Sequence, residues 1–200
     1  MNESPETIPA VPLPPESAPV PTPPGVATPR QMKIMKQWTR DIVISIAVAS
    51  FIIMFLYQPV RVEGTSMLPR LADHDRLFIN KYAYRIGEVK RGDVVVFLYP
   101  GDHTKSYIKR VVGLPGDAVR VDHGHVYVNG MQLVEPYVET RFQDERSVQD
   151  VLVPPNSVYV MGDHRSVSSD SRDFGPVSEK LIYGKAAYVY WPVKDSGSVQ

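Results

Sequence analysis

The sequence predicts a mainly β protein, an antiparallel sandwich or open barrel, preceded by one membrane-spanning helix. Three observations lead there. Residues from Ile42 to Tyr57 carry no charge. Short runs rich in Val, Ile and Tyr recur between Val94 and Trp191. Between them stand turn dipeptides such as Asn129-Gly130, which favour tight hairpins over helices.

Residues 1–32 come first. Ten of the 19 prolines fall within the first 30 residues, among small and polar neighbours. No periodic apolar face is present, so ordering this segment would lose more entropy than burial could offset. A disordered, solvated tail is expected.

Residues 33–58 form the second segment. A bilayer span needs about 20 apolar residues, with a lower limit near 17, and this run through Val60 approaches that length. It is apolar all round rather than along one stripe, unlike a surface helix. Trp38 and Tyr57 sit at its two ends, where interfacial aromatics belong. Arg30, Lys33, Lys36 and Arg40 precede it, while Arg61 and Glu63 nearly cancel behind it. Positive charge stays on the cytoplasmic side, so the N-terminus is expected inside and residues 59–200 outside.

Residues 59–200 read as the β domain. Val94–Leu98 is a short buried strand. Ala118–Val121 and Val126–Val128 flank the turn Asp122-His123-Gly124-His125. Met131–Leu133 follows Asn129-Gly130, and Ser157–Met161 and Ala186–Trp191 complete the set. Val177–Ile182 is expected as a helical turn.

Composition excludes several functions. Lys plus Arg and Asp plus Glu each number 22, so no basic excess exists for nucleic acid. Cysteine is absent, which removes disulfides, thiolate metal sites and a cysteine nucleophile. His123 and His125 are too few for a metal site and read as exposed turn residues.

A serine nucleophile needs a neighbouring base. None of the five histidines accompanies a G-x-S-x-G elbow. Lysine is the alternative, although at pH 7 only about one unperturbed lysine in 2,500 is neutral. Burial lowers that barrier. Lys109 lies in the otherwise apolar Tyr107-Ile108-Lys109-Arg110-Val111-Val112. If alternation holds, it shares a core face with Tyr107 and Val111; the alternative is an edge-strand lysine facing water.

Four segments resemble bacterial type I signal peptidases, in that family's order: Gly64–Leu71, Arg91–Phe97, Tyr107–Asp117 and Gly162–Gly175. The resemblance implies a Ser–Lys peptidase at the bacterial cytoplasmic membrane, needing no cofactor or metal. Its partners would be signal-peptide-bearing preproteins and the lipid bilayer, and the expected state is a monomer. Ser66 would be the nucleophile and Lys109 its base. Ser168 would hydrogen-bond the lysine amine. The Ser66 N–H would be one oxyanion donor; the second is left open, because Gly64 stands where some members carry a serine. Asp163, Arg165, Asp170 and Arg172 would form supporting ion pairs. Val60, Val62, Met67, Leu71, Val96 and Ile108 match positions lining subsites for small side chains. His164 replaces a common asparagine and Arg70 a common threonine, neither at a catalytic position.

Overall fold

The computed structural model describes residues 29–199, so most of the proline-rich tail expected over residues 1–32 lies outside the described residues. The chain divides into two units, residues 1–46 and 47–200. Helix α1 (Pro29–Leu56) starts four residues before the expected segment 33–58. Proline suits a first helical turn, where its missing N–H would have no partner anyway. The helix stops at Leu56 because Pro59 cannot lie inside a helix and also disfavours helical backbone at Gln58. Within it, Met32–Leu56 is long and apolar enough to cross a membrane. At 1.5 Å per residue those 25 residues measure roughly 38 Å, more than the hydrocarbon core requires.

Tyr57, expected at the helix end, instead opens strand β1 (Tyr57–Arg61). This strand pairs antiparallel with β2 (Arg76–Asn80). Beyond the short helix α2 (Ala83–Ile86) come β3 (Val94–Tyr99) and the twelve-residue β4 (Asp102–Gly113). Then follow β5 (Ala118–Asp122), β6 (His125–Val128), β7 (Met131–Gln132), β8 (Val148–Leu152) and β9 (Ser157–Met161). A one-turn helix α3 (Ser171–Phe174) precedes β10 (Val177–Ser178), β11 (Ile182–Trp191) and β12 (Gly197–Ser198). The expected helical turn over 177–182 is divided: Val177–Ser178 pairs with β9, and only Glu179–Leu181 turns, as 3-10 helix.

The large sheet runs β1-β2-β11-β3-β4-β9-β10, with β12 added to β11. A smaller sheet runs β7-β6-β5-β8. Every pairing is antiparallel, which is the mainly β class expected. Both hairpin signals appear as turns. His123 and Gly124 have φ of 47° and 76°, and Asn129 and Gly130 have 53° and 81°. Two successive positive φ values make the primed turn whose twist matches the flanking strands.

One apolar cluster gathers Val62, Met67, Leu71, Leu77, Ile79, Val94 and Val96 from β2, β3 and the β1–β2 connection. A second packs Val95, Phe97, Val111, Val158 and Val160 on the other side of β3 and β4. With both faces of β3 and the end of β4 covered, any charged residue there lies in a dry environment. Lys109, paired with Val95 in the register, is such a residue.

Candidate active site

Ser66 lies in the connection between β1 and β2. That connection is tied at its neck by Val62 N–H to Asp75 O (2.8 Å) and His74 N–H to Val62 O (2.9 Å). The Gly64 N–H donates to Asp73 Oδ1 at 2.9 Å. Gly64 has a φ of +92°, a conformation that side chains resist, so glycine fits this turn. Met67 and Leu71 anchor the turn by burying in the first cluster.

Lys109 reaches the same point from β4. The residue is 5% exposed, and Nζ stands 2.6 Å from Ser66 Oγ. The water-facing alternative for this lysine is thereby excluded. Burial pushes its pKa down to about 8; the Asp170 and Asp163 carboxylates oppose the shift, and Arg172 adds to it. Both carboxylates are already engaged. Arg110 forks onto Asp163 at 2.8 and 2.7 Å, and Arg172 holds Asp170 through two bonds of 2.8 Å. An ammonium at Lys109 donates to Ser66, whereas a neutral amine accepts the serine proton. A shift to about 8 brings the second state within reach near neutral pH.

The segment Gly162–Arg172 closes the site from β9. The His164 N–H donates to Ser66 O at 3.0 Å. A side chain at Gly162 would lie 2.5 Å from Ser66 O and would also collide with Ser168, so only glycine permits this approach. Asp170 caps α3 while accepting from the Gly162 N–H at 3.0 Å. Burial alone would raise the Asp170 carboxyl, but hydrogen bonds and charge from Arg172, helped by Ser168 and Gly162, hold it below its ordinary value.

The four residues expected in ion pairs are all paired, with partners the sequence left unnamed. Asp163 takes Arg110, Arg165 takes Glu135, and Arg172 adds Asp144 to Asp170. Glu135 and Asp144 come from the long connection between β7 and β8, where no local pattern marks them. Ser168 departs from expectation. It is buried against Gly162, but its Oγ has no partner at full hydrogen-bond geometry, and the bond of Lys109 goes to Ser66.

An open cleft of about 900 Å³ runs past Ser66 and Lys109. Val60, Val62, Val96 and Ile108 line it, joined by Leu77 and Tyr183. Met67 and Leu71 do not line it: at 1% and 0% exposure they pack in the core beneath, where the turn needs apolar anchors. Another cavity of about 700 Å³ lies between Lys81, Arg85, Leu114 and Ile182, and no serine or threonine lines it. Among the described residues no cluster of three or more metal-ligating side chains occurs, and His123 is an exposed turn residue bonded to Asp122.

The family described as signal peptidase, peptidase S26, matches residues 35–191. The chain belongs to that family. It is therefore a serine endopeptidase of the signal peptidase I kind. A signal peptidase I of Bacillus amyloliquefaciens is 38% identical over 169 residues, covering 80% of this chain and 86% of the relative. Signal peptidase IB of Staphylococcus aureus is 34% identical over 181 residues, covering 80% and 94%. A crystal structure of a signal peptidase I from Enterococcus faecalis aligns at 30% identity and a TM-score of 0.42, over 49% of this chain and 96% of that one.

Proposed function

We propose that this chain removes N-terminal signal peptides from exported preproteins, with Ser66 as nucleophile and Lys109 as general base. The separation of 2.6 Å between Lys109 Nζ and Ser66 Oγ carries the reading. Neutral Lys109 takes the serine proton as Oγ attacks the scissile carbonyl, then returns it to the leaving amine. Water deacylates the enzyme with the same lysine as base. The developing oxyanion is met by the Ser66 N–H, which makes no hydrogen bond among the described residues.

Helix α1 holds the enzyme in the cytoplasmic membrane, N-terminus inside and β domain outside, following the basic flank before it. Ser66 lies nine residues past Tyr57, so even fully extended chain keeps it within roughly 30 Å of the helix end. A signal peptide has its apolar stretch in the membrane and its cleavage site just beyond, so enzyme and substrate share one surface. Val62, Val96 and Ile108 give the cleft shallow apolar walls suited to alanine-sized side chains.

Cleavage of a preprotein by the purified full chain in detergent tests this. Ser66→Ala and Lys109→Ala should each abolish processing while the fold persists. Processing by either variant near the parent rate would remove that residue from the mechanism.

A further inference from the structure

His164 holds the nucleophile turn through two bonds. Its backbone N–H donates to Ser66 O at 3.0 Å, and its side-chain Nδ1 lies 3.1 Å from Thr65 O. A carbonyl oxygen only accepts, so Nδ1 carries the proton. The ring packs on Phe142, with centroids 4.3 Å apart. Its neighbours on either side, Asp163 and Arg165, are fixed by buried ion pairs to Arg110 and Glu135. The imidazole is thus a donor packed on an aromatic ring, carried by an ion-paired segment and aimed at one backbone oxygen.

Thr65 C=O and Ser66 N–H belong to one peptide group. That group is planar, and in a trans peptide the two bonds point in opposite directions. Thr65 O is held from two sides, by the Leu68 N–H at 3.1 Å within the turn and by His164 from outside it, and fixing this oxygen fixes the Ser66 N–H, the donor assigned above to the oxyanion. Accepting a hydrogen bond at the carbonyl also polarises the amide and strengthens its N–H as a donor.

We infer that His164 is a positioning residue for the oxyanion hole, acting through the Thr65–Ser66 peptide. It touches no reacting atom. The inference rests on the reading of Ser66 as nucleophile and of its N–H as oxyanion donor.

Nearest-shape substitutions separate this role from simple packing. The carboxamide nitrogen of asparagine is as many bonds from Cα as Nδ1, so His164→Asn can still donate to Thr65 O. Glutamine places its nitrogen at the depth of Nε2 and misses. Alanine has no donor. Loss of a whole oxyanion donor costs roughly a hundredfold to a thousandfold in kcat, and a misaimed donor less. His164→Ala and His164→Gln should therefore lower kcat about tenfold or more with KM within about twofold. His164→Asn should return to within about threefold of the parent.

The experiment measures kcat and KM on one preprotein peptide with the full chain in detergent, and a melting temperature for each variant. Recovery by asparagine but not glutamine supports the inference. Equal loss in all three variants, loss tracking melting temperature, or undiminished kcat in His164→Ala would overturn it. Ser66→Ala run alongside keeps the two readings apart. If Ser66→Ala is dead and His164→Ala fully active, the positioning role alone fails; if Ser66→Ala is active, the nucleophile assignment fails first.

Discussion

Arg110 forks onto Asp163 at 2.8 and 2.7 Å, directly after Lys109 in the chain, with both side chains almost fully buried. The guanidinium also lies over the Tyr137 ring at 4.1 Å and donates to Gly92 O at 2.9 Å. Breaking such a pair leaves a charge buried without its partner, a loss of roughly 3–5 kcal/mol. Arg110→Ala should destabilise by about that amount in denaturant unfolding of the full chain in detergent. Arg110→Lys should recover little, since an ammonium cannot reproduce the fork. A loss under about 1 kcal/mol for Arg110→Ala would show that the pair does not hold β4 in place.

Gly162→Ala should cut activity steeply. The added methyl would lie 2.5 Å from Ser66 O and against Ser168, so the turn that carries Ser66 must move. Misplacement by about 1 Å can lower a rate about a hundredfold. Processing at the parent rate by a folded Gly162→Ala protein would mean that the contact between these segments is loose.

The cleft should reject large side chains just before the cut. Its walls at Val96 and Ile108 are branched and apolar and belong to packed strands, which limits depth. A substrate with phenylalanine there should be cut at least about tenfold more slowly than one with alanine, as kcat/KM. Ile108→Ala should narrow that gap. Efficient cutting after phenylalanine by the parent enzyme would show that the walls are misassigned.

Lys109→Met should be inactive yet more stable near pH 7. The amine titrates about 8 in the fold against 10.5 in its ordinary state. Below pH 8 it is charged in both states, and burial of that charge opposes folding in full. The penalty disappears as pH rises from 8 to 10.5, where the folded form has lost its proton and the unfolded form still holds it. The difference amounts to about 3 kcal/mol. The variant should exceed the parent by up to that amount at pH 7, and the gap should close above pH 8. A gap independent of pH would indicate that Lys109 bears no burial penalty.

Much of this was legible in the sequence because local chemistry dictates it. Asn129-Gly130 favours a primed turn, the β-branched run Val94–Leu98 reads as a buried strand, and the apolar run of α1 is too long for a strand. Strands β1, β2 and β8 escaped, since Tyr57–Arg61 contains a proline and Arg76–Asn80 and Val148–Leu152 mix charge with apolar residues. Their pairing comes from neighbours distant in sequence. Ser66 and Lys109 were legible through their segments, but the 2.6 Å between them closes over 43 positions of chain. Glu135 and Asp144 show the limit: nothing local distinguishes a loop carboxylate that meets a buried arginine from one that meets water. His164 was legible as a substitution; its bond to Thr65 O depends on how two distant turns meet.

The most direct test is the pH dependence of kcat/KM for a preprotein peptide, measured on the full chain in detergent. With Lys109 as base, activity requires its neutral form in the free enzyme. The rate should climb with pH along a limb centred near 8, the value to which burial lowers the amine, and Lys109→Ala should be essentially dead at every pH. A limb centred near 6.5, the ordinary histidine value, with Lys109→Ala still active, would contradict the account.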